Sequence, residues 1–394
     1  MTPPTAPGPR GMSDSSPSRE VSLTEIAFVF LKLGMIAFGG PAAHLAMMEE
    51  EFVRRRHWIT QAEFLDRLAT ANLIPGPSST EVAIFIGQLK RGWRGLIVAG
   101  FCFIVPAALI VSAIAWAYVR FGSLPRAQNV FFAIKPVVVA IIVQAIGRMS
   151  RTGIRTALLA SVAVLAAVLS LIGVSPVLVL VFAGALSAAA LAMKGRLLSA
   201  GFLTGPAMVL AVVTAITVKA AAPALLGRLF LSFLKIGSVV FGSGYVLLAF
   251  LQSEFVEHLH WLSEQQLLDA VAVGQFTPGP VFTTATFIGY IVAGWRGAAA
   301  ATLGVFLPGF ILVALSGPLI PRLRRSPVAG AALDGVVAGS LALMAVVAWQ
   351  LGKASIMNWT TLAIFLVALI GLLRFRLNSA WLIGVAAVFG LVMR

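Results

Sequence analysis

Phe30-Leu31-Lys32-Leu33-Gly34-Met35-Ile36-Ala37-Phe38-Gly39-Gly40-Pro41 is answered 203 residues later by Phe233-Leu234-Lys235-Ile236-Gly237-Ser238-Val239-Val240-Phe241-Gly242-Ser243-Gly244. The register holds without a gap through Glu51-Phe52-Val53 and Glu254-Phe255-Val256, through His57-Trp58 and His260-Trp261, and through Asp66 and Asp269. It closes on Pro75-Gly76-Pro77 against Pro278-Gly279-Pro280. One residue then drops out, and Gly92-Trp93-Arg94-Gly95 matches Gly294-Trp295-Arg296-Gly297 at an offset of 202, as Pro106 matches Pro308. A duplicated half, broken by Gly and Pro and set in an apolar chain, is the pattern from which secondary transporters are built.

Hydrophobic residues make up 59% of the chain, charged ones 11%, and the mean hydropathy is +0.98. Soluble domains carry about a quarter charged residues, so this chain is solvated mainly by lipid. The net charge of +15 is dispersed in short clusters between apolar runs, such as Arg54-Arg55-Arg56, Lys90-Arg91 and Arg322 with Arg324-Arg325. Basic loops between apolar segments orient membrane proteins, and without a basic stripe or tail no nucleic-acid partner is expected. Cys102 is the single cysteine, which leaves no disulfide and no thiolate metal site. Residues 1–20 are rich in Pro, Ser and Thr without an apolar core, so they read as a disordered tail and not as a signal peptide.

The apolar runs long enough to cross roughly 30 Å of hydrocarbon as helices are about 95–118, 127–147, 156–173 and 176–193, with counterparts at about 297–320, 328–350, 358–373 and 377–393. A run at about 206–225 has no partner in the repeat and reads as a connecting span. Counting Lys and Arg in the short loops puts the N-terminus in the cytoplasm and the C-terminus outside, and both halves obey the charge rule only if one is inverted relative to the other. The chain therefore divides into a tail (1–20), a first repeat (21–200), a connecting transmembrane segment (201–226) and a second repeat (227–394). The fold class is an all-α polytopic membrane protein of two inverted-topology repeats.

The start of each repeat differs in kind from its later spans. Residues 22–38 are apolar around Glu25 and Lys32, then Phe38-Gly39-Gly40-Pro41 interrupts them. Residues 61–74 and 78–90 are short helical stretches joined at Pro75-Gly76-Pro77. Proline lacks an amide donor and restricts its predecessor, so such a triplet stops one helix and starts the next. Irregular backbone at membrane depth is tolerated only within protein or beside a water-filled cavity. Each repeat is thus expected to open with two re-entrant helical hairpins whose breaks lie together in space.

A helix restarting after Pro41 or Pro77 presents amide N–H groups and a positive dipole end, a ready place for an anion. Ser78, Ser79 and Thr80 follow the first Pro-Gly-Pro, and Thr283 and Thr284 follow the second. Their hydroxyls either cap and pack or donate to an oxyanion. Gly39, Gly40, Gly242, Ser243 and Gly244 either admit a ligand close to the backbone or serve helix packing. Lys32 and Lys235 place cations inside apolar helices, which costs roughly 3 kcal/mol or more at the bilayer centre, so they face a cavity, snorkel, or pair, as Lys32 could with Glu25. Glu51, Glu254, Asp66, Asp269 and Glu81, which has Thr284 opposite it, are the proton-coupling candidates, with ion pairing to nearby Arg or Lys as the alternative. His44, just after the first break, is the histidine best placed for function.

With Phe38-Gly39-Gly40-Pro41, His44, Glu51, Trp58, Phe64 and Pro75-Gly76-Pro77 in view, the chain resembles the chromate transporter family over essentially residues 22–394. The resemblance implies a long-chain, two-domain member that expels chromate across the bacterial inner membrane, and it carries the family's motif onto Gly39, Gly40, Pro41, His44, Pro75, Gly76 and Pro77. The second half departs from it, with Ser243-Gly244 in place of Gly-Pro and Leu247 in place of the histidine. A tetrahedral dianion, chromate or a relative such as sulfate, suits helix starts and intramembrane lysines without a metal or other cofactor. Pro278, Gly279 and Pro280 complete the expected substrate-binding set. No Walker motif is present, so an ion gradient or the membrane potential would drive transport. A second copy of the chain is a further candidate partner. An oxyanion channel, an uptake transporter and an intramembrane enzyme are the competing readings, the last lacking any cofactor motif or paired nucleophile and base.

Overall fold

The computed structural model of the chain describes residues 21–38, 40–195, 224–241, 244 and 246–393. The expected tail, all but the last residues of the expected connecting span, and the candidate residues Gly39, Gly242 and Ser243 lie outside the described residues.

The first half begins with α1 (Leu23–Ile36) and α2 (Gly40–Glu49), the latter extended by a π-helical turn, Glu50–Arg55. Then come α3 (Gln61–Ala71), α4 (Ser78–Phe121), α5 (Pro125–Gly153), α6 (Ala157–Leu171) and α7 (Pro176–Gly195). The second half repeats the order as α8 (Leu225–Val239), α9 (Leu247–Leu251) with its π-helical turn Gln252–His258, α10 (Glu264–Phe276), a 3-10 turn at Val281–Thr283, α11 (Thr284–Arg325), α12 (Pro327–Ser355), α13 (Trp359–Arg374) and α14 (Ser379–Val392). Among the described residues the structure is helical apart from loops and one isolated bridge. Large apolar side chains such as Phe28, Trp93, Leu109, Val164 and Trp381 cover its exterior, as a lipid-facing surface requires.

Local chemistry repeats along with the sequence. Thr60 with Glu63 and Ser263 with Gln266 form matching capping boxes that start α3 and α10, each satisfying two otherwise orphaned amides. His57 and His260 both take φ of +53°, and the Trp58 and Trp261 amides return to the Phe52 and Phe255 carbonyls. Each π-helical turn therefore closes back under an aromatic pair, Phe52 on Trp58 and Phe255 on Trp261.

The long helices are divided where the sequence separates residues 78–90 from the span at about 95–118. α4 breaks at Arg91-Gly92 and α11 at Ala293-Gly294, where the glycines take φ of +56° and +62°. A Cβ added to Gly87 would stand 2.3 Å from the Gly95 carbonyl oxygen, and one on Gly289 would stand 2.3 Å from that of Gly297. In a continuous helix residues eight apart are about 12 Å apart along the axis. Each long helix therefore doubles back on itself, and residues 78–90 form the returning arm of a hairpin with α3. Arg91 Nε donates to the Val21 carbonyl at 2.6 Å and Arg56 pairs with Glu25 at 2.9 Å, so the open ends of both first-half hairpins are tied together. Glu25 is thus engaged by Arg56 and is not the partner of Lys32.

The eight expected scaffold spans are all helical and fall into two lengths. Five helices are long and apolar enough to cross a membrane, namely most of α4, α5, α7, α11 and α12. By contrast α6, α13 and α14 have 15, 16 and 14 residues, or about 21–24 Å at roughly 1.5 Å per residue, short of the hydrocarbon thickness. Turns at positive φ cut two of them off, at Gly173 (+86°) after α6 and at Arg376 (+53°) after α13. The scaffold helices pack across the repeats, α12 on α6 and α7, and α13 and α14 on α5. Gly335 and Gly390 permit the closest approaches, since an added Cβ would meet the carbonyl oxygens of Ala183 and Asn129 at 2.3 and 2.4 Å.

Candidate functional site

The breaks of the two halves meet. The Gly76 amide donates to the Val240 carbonyl at 2.7 Å, and the Gly279 amide donates to the Ala37 carbonyl at 2.9 Å. These bonds are each other's equivalents at the 203-residue offset. Pro75 and Phe241 add an antiparallel bridge. Each Pro-Gly-Pro turn therefore docks on the residues just before the other half's glycine break. Gly76 and Gly279 take φ of +134° and +88°, a region L side chains avoid.

In the first half this junction encloses polar side chains. α4 starts at Ser78 after Pro77, whose lack of a side-chain cap leaves the helix start to other partners. Ser78, Ser79, Thr80 and Glu81 are all buried, as is His44 on α2. His44 Nε2 donates to the Ala37 carbonyl at 3.0 Å, so in the neutral ring Nδ1 accepts from the Ser79 hydroxyl at 3.3 Å. The Ala37 carbonyl thereby receives both the histidine and the opposing Gly279 amide. The Thr80 hydroxyl and both Glu81 carboxyl oxygens are buried without a hydrogen-bond partner. Glu81 lies directly beneath the Pro-Gly-Pro turn, since a Cβ on Gly76 would come within 2.3 Å of Glu81 Oε1, and Gly309 of α11 approaches from the other side. Gly40, at φ of +77°, starts α2, two residues earlier than expected, and Pro41 occupies the first turn, where its missing amide costs nothing.

The second half has the same backbone and different contents. Val281 and Phe282 replace Ser78 and Ser79, and Leu247 replaces His44; all three are buried. A Cβ on Gly244 would meet Val281 at 3.2 Å, so the space is filled. The Thr283 and Thr284 hydroxyls turn back to the Pro280 and Val281 carbonyls at 2.8 Å each. Pro278, Gly279 and Pro280 form the turn itself.

The charged candidates lie elsewhere. Lys235 Nζ pairs with Glu254 at 3.1 Å, and Ser232 donates to the same carboxylate at 3.0 Å. Glu51 is bound by Arg56 at 2.6 Å and Arg55 at 3.3 Å. Burial pushes the Glu51 carboxyl up, but the Arg56 hydrogen bond and the charges of Arg56, Arg55 and Lys32 outweigh it and hold it below the usual carboxylate range. Both lysines thus act on carboxylates of the π-helical turns, and the structure does not bring them to the breaks. Asp66 is exposed on α3. Asp269 is buried, paired with Lys135 at 3.2 Å and accepting from the Tyr118 hydroxyl at 2.9 Å, which joins α10 to α5 and α4 of the other half. Lys135 and Tyr118 were missed from the sequence because their repeat counterparts are Val337 and Ile320, although a lysine in an apolar run is the same signal that singled out Lys32.

The family model described as chromate transporter matches residues 24–189 and 227–391. The chain is 32% identical over 373 residues to the chromate transport protein of Cupriavidus metallidurans, covering 94% of this chain and 93% of the relative. It is 32% identical over 375 residues to a probable chromate transport protein of Synechococcus elongatus, covering 94% and 95%. Over 325 residues it is 30% identical to the chromate transport protein of Pseudomonas aeruginosa, covering 80% and 77%. No solved structure matches the chain.

Proposed function

This chain belongs to the chromate transporter family, and on that footing we propose that it is a secondary active transporter that exports chromate across the bacterial inner membrane, taking the anion at the first-half junction. The observation that carries the reading is the buried, unpartnered Thr80 hydroxyl at a helix start, beside the His44–Ser79 pair. A dianion leaving water needs donors and positive potential. The amides of Gly76 and Gly279 are engaged across the repeats, and those of Thr80 and Glu81 return to the Pro77 carbonyl, so the Thr80 hydroxyl matters as a donor here. Thr80 is the unpartnered donor, with Ser78, Ser79 and His44 beside it, and the starts of α2 and α4 contribute the equivalent of about half a positive charge each. The flanking residues Gly40, Pro41, Pro75, Gly76 and Pro77 shape the approach. In this reading Lys32 and Lys235 raise the positive potential around the route without touching the anion, while Gly244, Pro278, Gly279, Pro280, Thr283 and Thr284 form the opposing wall.

Export follows from charge, because a potential negative inside pushes an anion outward by about 2.3 kcal/mol per charge per 100 mV. The proposed orientation keeps the N-terminus inside and the C-terminus outside, in line with the loop charges. The test is radiolabelled chromate exchange in proteoliposomes of the purified chain. Saturable uptake accelerated by unlabelled chromate on the opposite side is expected, with sulfate as competitor reporting selectivity. Flux that rises linearly and shows no counterflow would replace the transporter with a channel.

A further inference from the structure

We propose that Glu81 carries a proton together with the oxyanion, so that anion and proton cross in the same direction. The inference rests on the chromate reading of this junction and names its coupling ion. Five acidic residues were candidates, and the structure separates them. Glu51 is held by Arg55 and Arg56, Glu254 by Lys235 and Ser232, and Asp269 by Lys135 and Tyr118. Asp66 stands on the exposed face of α3 and is not without a partner. Glu81 alone among the five is wholly buried with neither oxygen hydrogen-bonded.

Its surroundings explain why that matters. The titratable side chains on the elements packed against α4 include Glu25 and Lys32 on α1, His44 and Glu49 on α2, Glu63, Asp66 and Arg67 on α3, Glu264 and Asp269 on α10, and Tyr290 and Arg296 on α11. None of them bonds the Glu81 carboxyl, and no neighbouring charge acts on it. The face of α11 presented here is Gly309 and Phe310. Glu81 directly follows Thr80 and lies two residues after Ser79, the bonded partner of His44, so the proposed anion would stand against its carboxyl. An ionised carboxylate and a dianion cannot share a water-poor site without a cation between them, since their repulsion is unscreened there. One proton on Glu81 removes that repulsion and turns the carboxyl into a donor toward the anion. When the anion leaves to the opposite side, water takes its place, and hydration of the carboxylate lets the proton pass to water there. The loaded protein therefore moves one net negative charge, which a potential negative inside still drives outward.

The experiment measures the equilibrium accumulation ratio of labelled chromate in proteoliposomes under an imposed pH gradient, with the potential clamped and the medium alkaline enough that the oxyanion itself holds no proton. A ratio at equilibrium does not depend on how fast a variant works. The unaltered chain should shift the ratio about tenfold for each pH unit of gradient, the value for one proton per anion, and Glu81→Gln should show no shift. A Glu81→Gln protein that follows the gradient like the unaltered chain, or an unaltered chain that ignores it, overturns the proposal while leaving chromate transport in place. Should Glu81→Gln fail to fold, proton uptake by the unaltered, detergent-solubilised chain on adding chromate decides the matter. One proton per anion bound supports the proposal and none overturns it. Absence of saturable chromate exchange by the unaltered chain is a different result, removing the substrate reading and this inference with it.

Discussion

The two Pro-Gly-Pro junctions share a backbone and divide the chemistry. Gly76 bonds to Val240 as Gly279 bonds to Ala37. Yet the first junction holds His44, Ser79, Thr80 and Glu81, and the second holds Leu247, Phe282 and two threonines whose hydroxyls only bind their own helix turn. The reverse asymmetry appears on the preceding helix. Asp269 is buried in an ion pair that reaches into the first half, whereas its counterpart Asp66 is exposed. One junction is left unsatisfied and the other is closed, packed and anchored across the repeat boundary. Duplication supplied two copies of a shape, and substitution confined the unmet polar groups to one of them.

That division can be broken most forcefully by exchanging contents between the halves. Replacing Ser79 by Phe, the residue found at 282, should fill the first junction and abolish chromate transport. His44→Leu should lower transport by about tenfold to a hundredfold, the worth of a hydrogen bond to a charged ligand. Phe282→Leu in the second junction should keep most of the activity. Transport assays on membranes with matched protein levels give the comparison, and equal losses in the two halves would dissolve it.

A smaller effect tests the anchoring. Asp269→Asn leaves Lys135 partly buried without its counter-charge and should destabilise the protein by about 3–5 kcal/mol. Asp66→Asn, on an exposed face, should stay within about 0.5 kcal/mol. Thermal unfolding in detergent reads both, and similar melting shifts would mean that the second hairpin is not specially fixed. Smallest of all, Thr60→Ala and Ser263→Ala each remove a capping-box acceptor and should cost about 1 kcal/mol. Their effects should be equal, because the scaffold is the part of the repeat that stayed symmetric.

Much of the scaffold was legible because it depends on local rules. Pro75-Gly76-Pro77 and Pro278-Gly279-Pro280 had to interrupt helices, since proline removes a donor and glycine admits positive φ. Hydropathy located the long helices and the three shorter ones, α6, α13 and α14, to within a few residues at each end. The division between residues 78–90 and the span from about 95 was legible at Lys90-Arg91-Gly92, but only the contact of Gly87 with Gly95 shows the chain doubling back there.

For this protein, the sequence alone was enough to establish an apolar helical chain made of two related halves, with Gly and Pro breaks in each and a chemical difference between them at His44, Ser78, Ser79 and Glu81. Periodicity, hydropathy and backbone restrictions act over a few residues, so they can be read along the chain. The tertiary structure alone decided which charges are neutralised and which are not. Lysines and carboxylates that look equally exceptional in an apolar sequence separate only when folding brings Lys235 to Glu254 and Lys135 to Asp269. The same folding leaves Glu81 with no partner. Electrostatic energy depends on distances across the fold, and residues 130 or more positions apart in sequence have none until the halves pack.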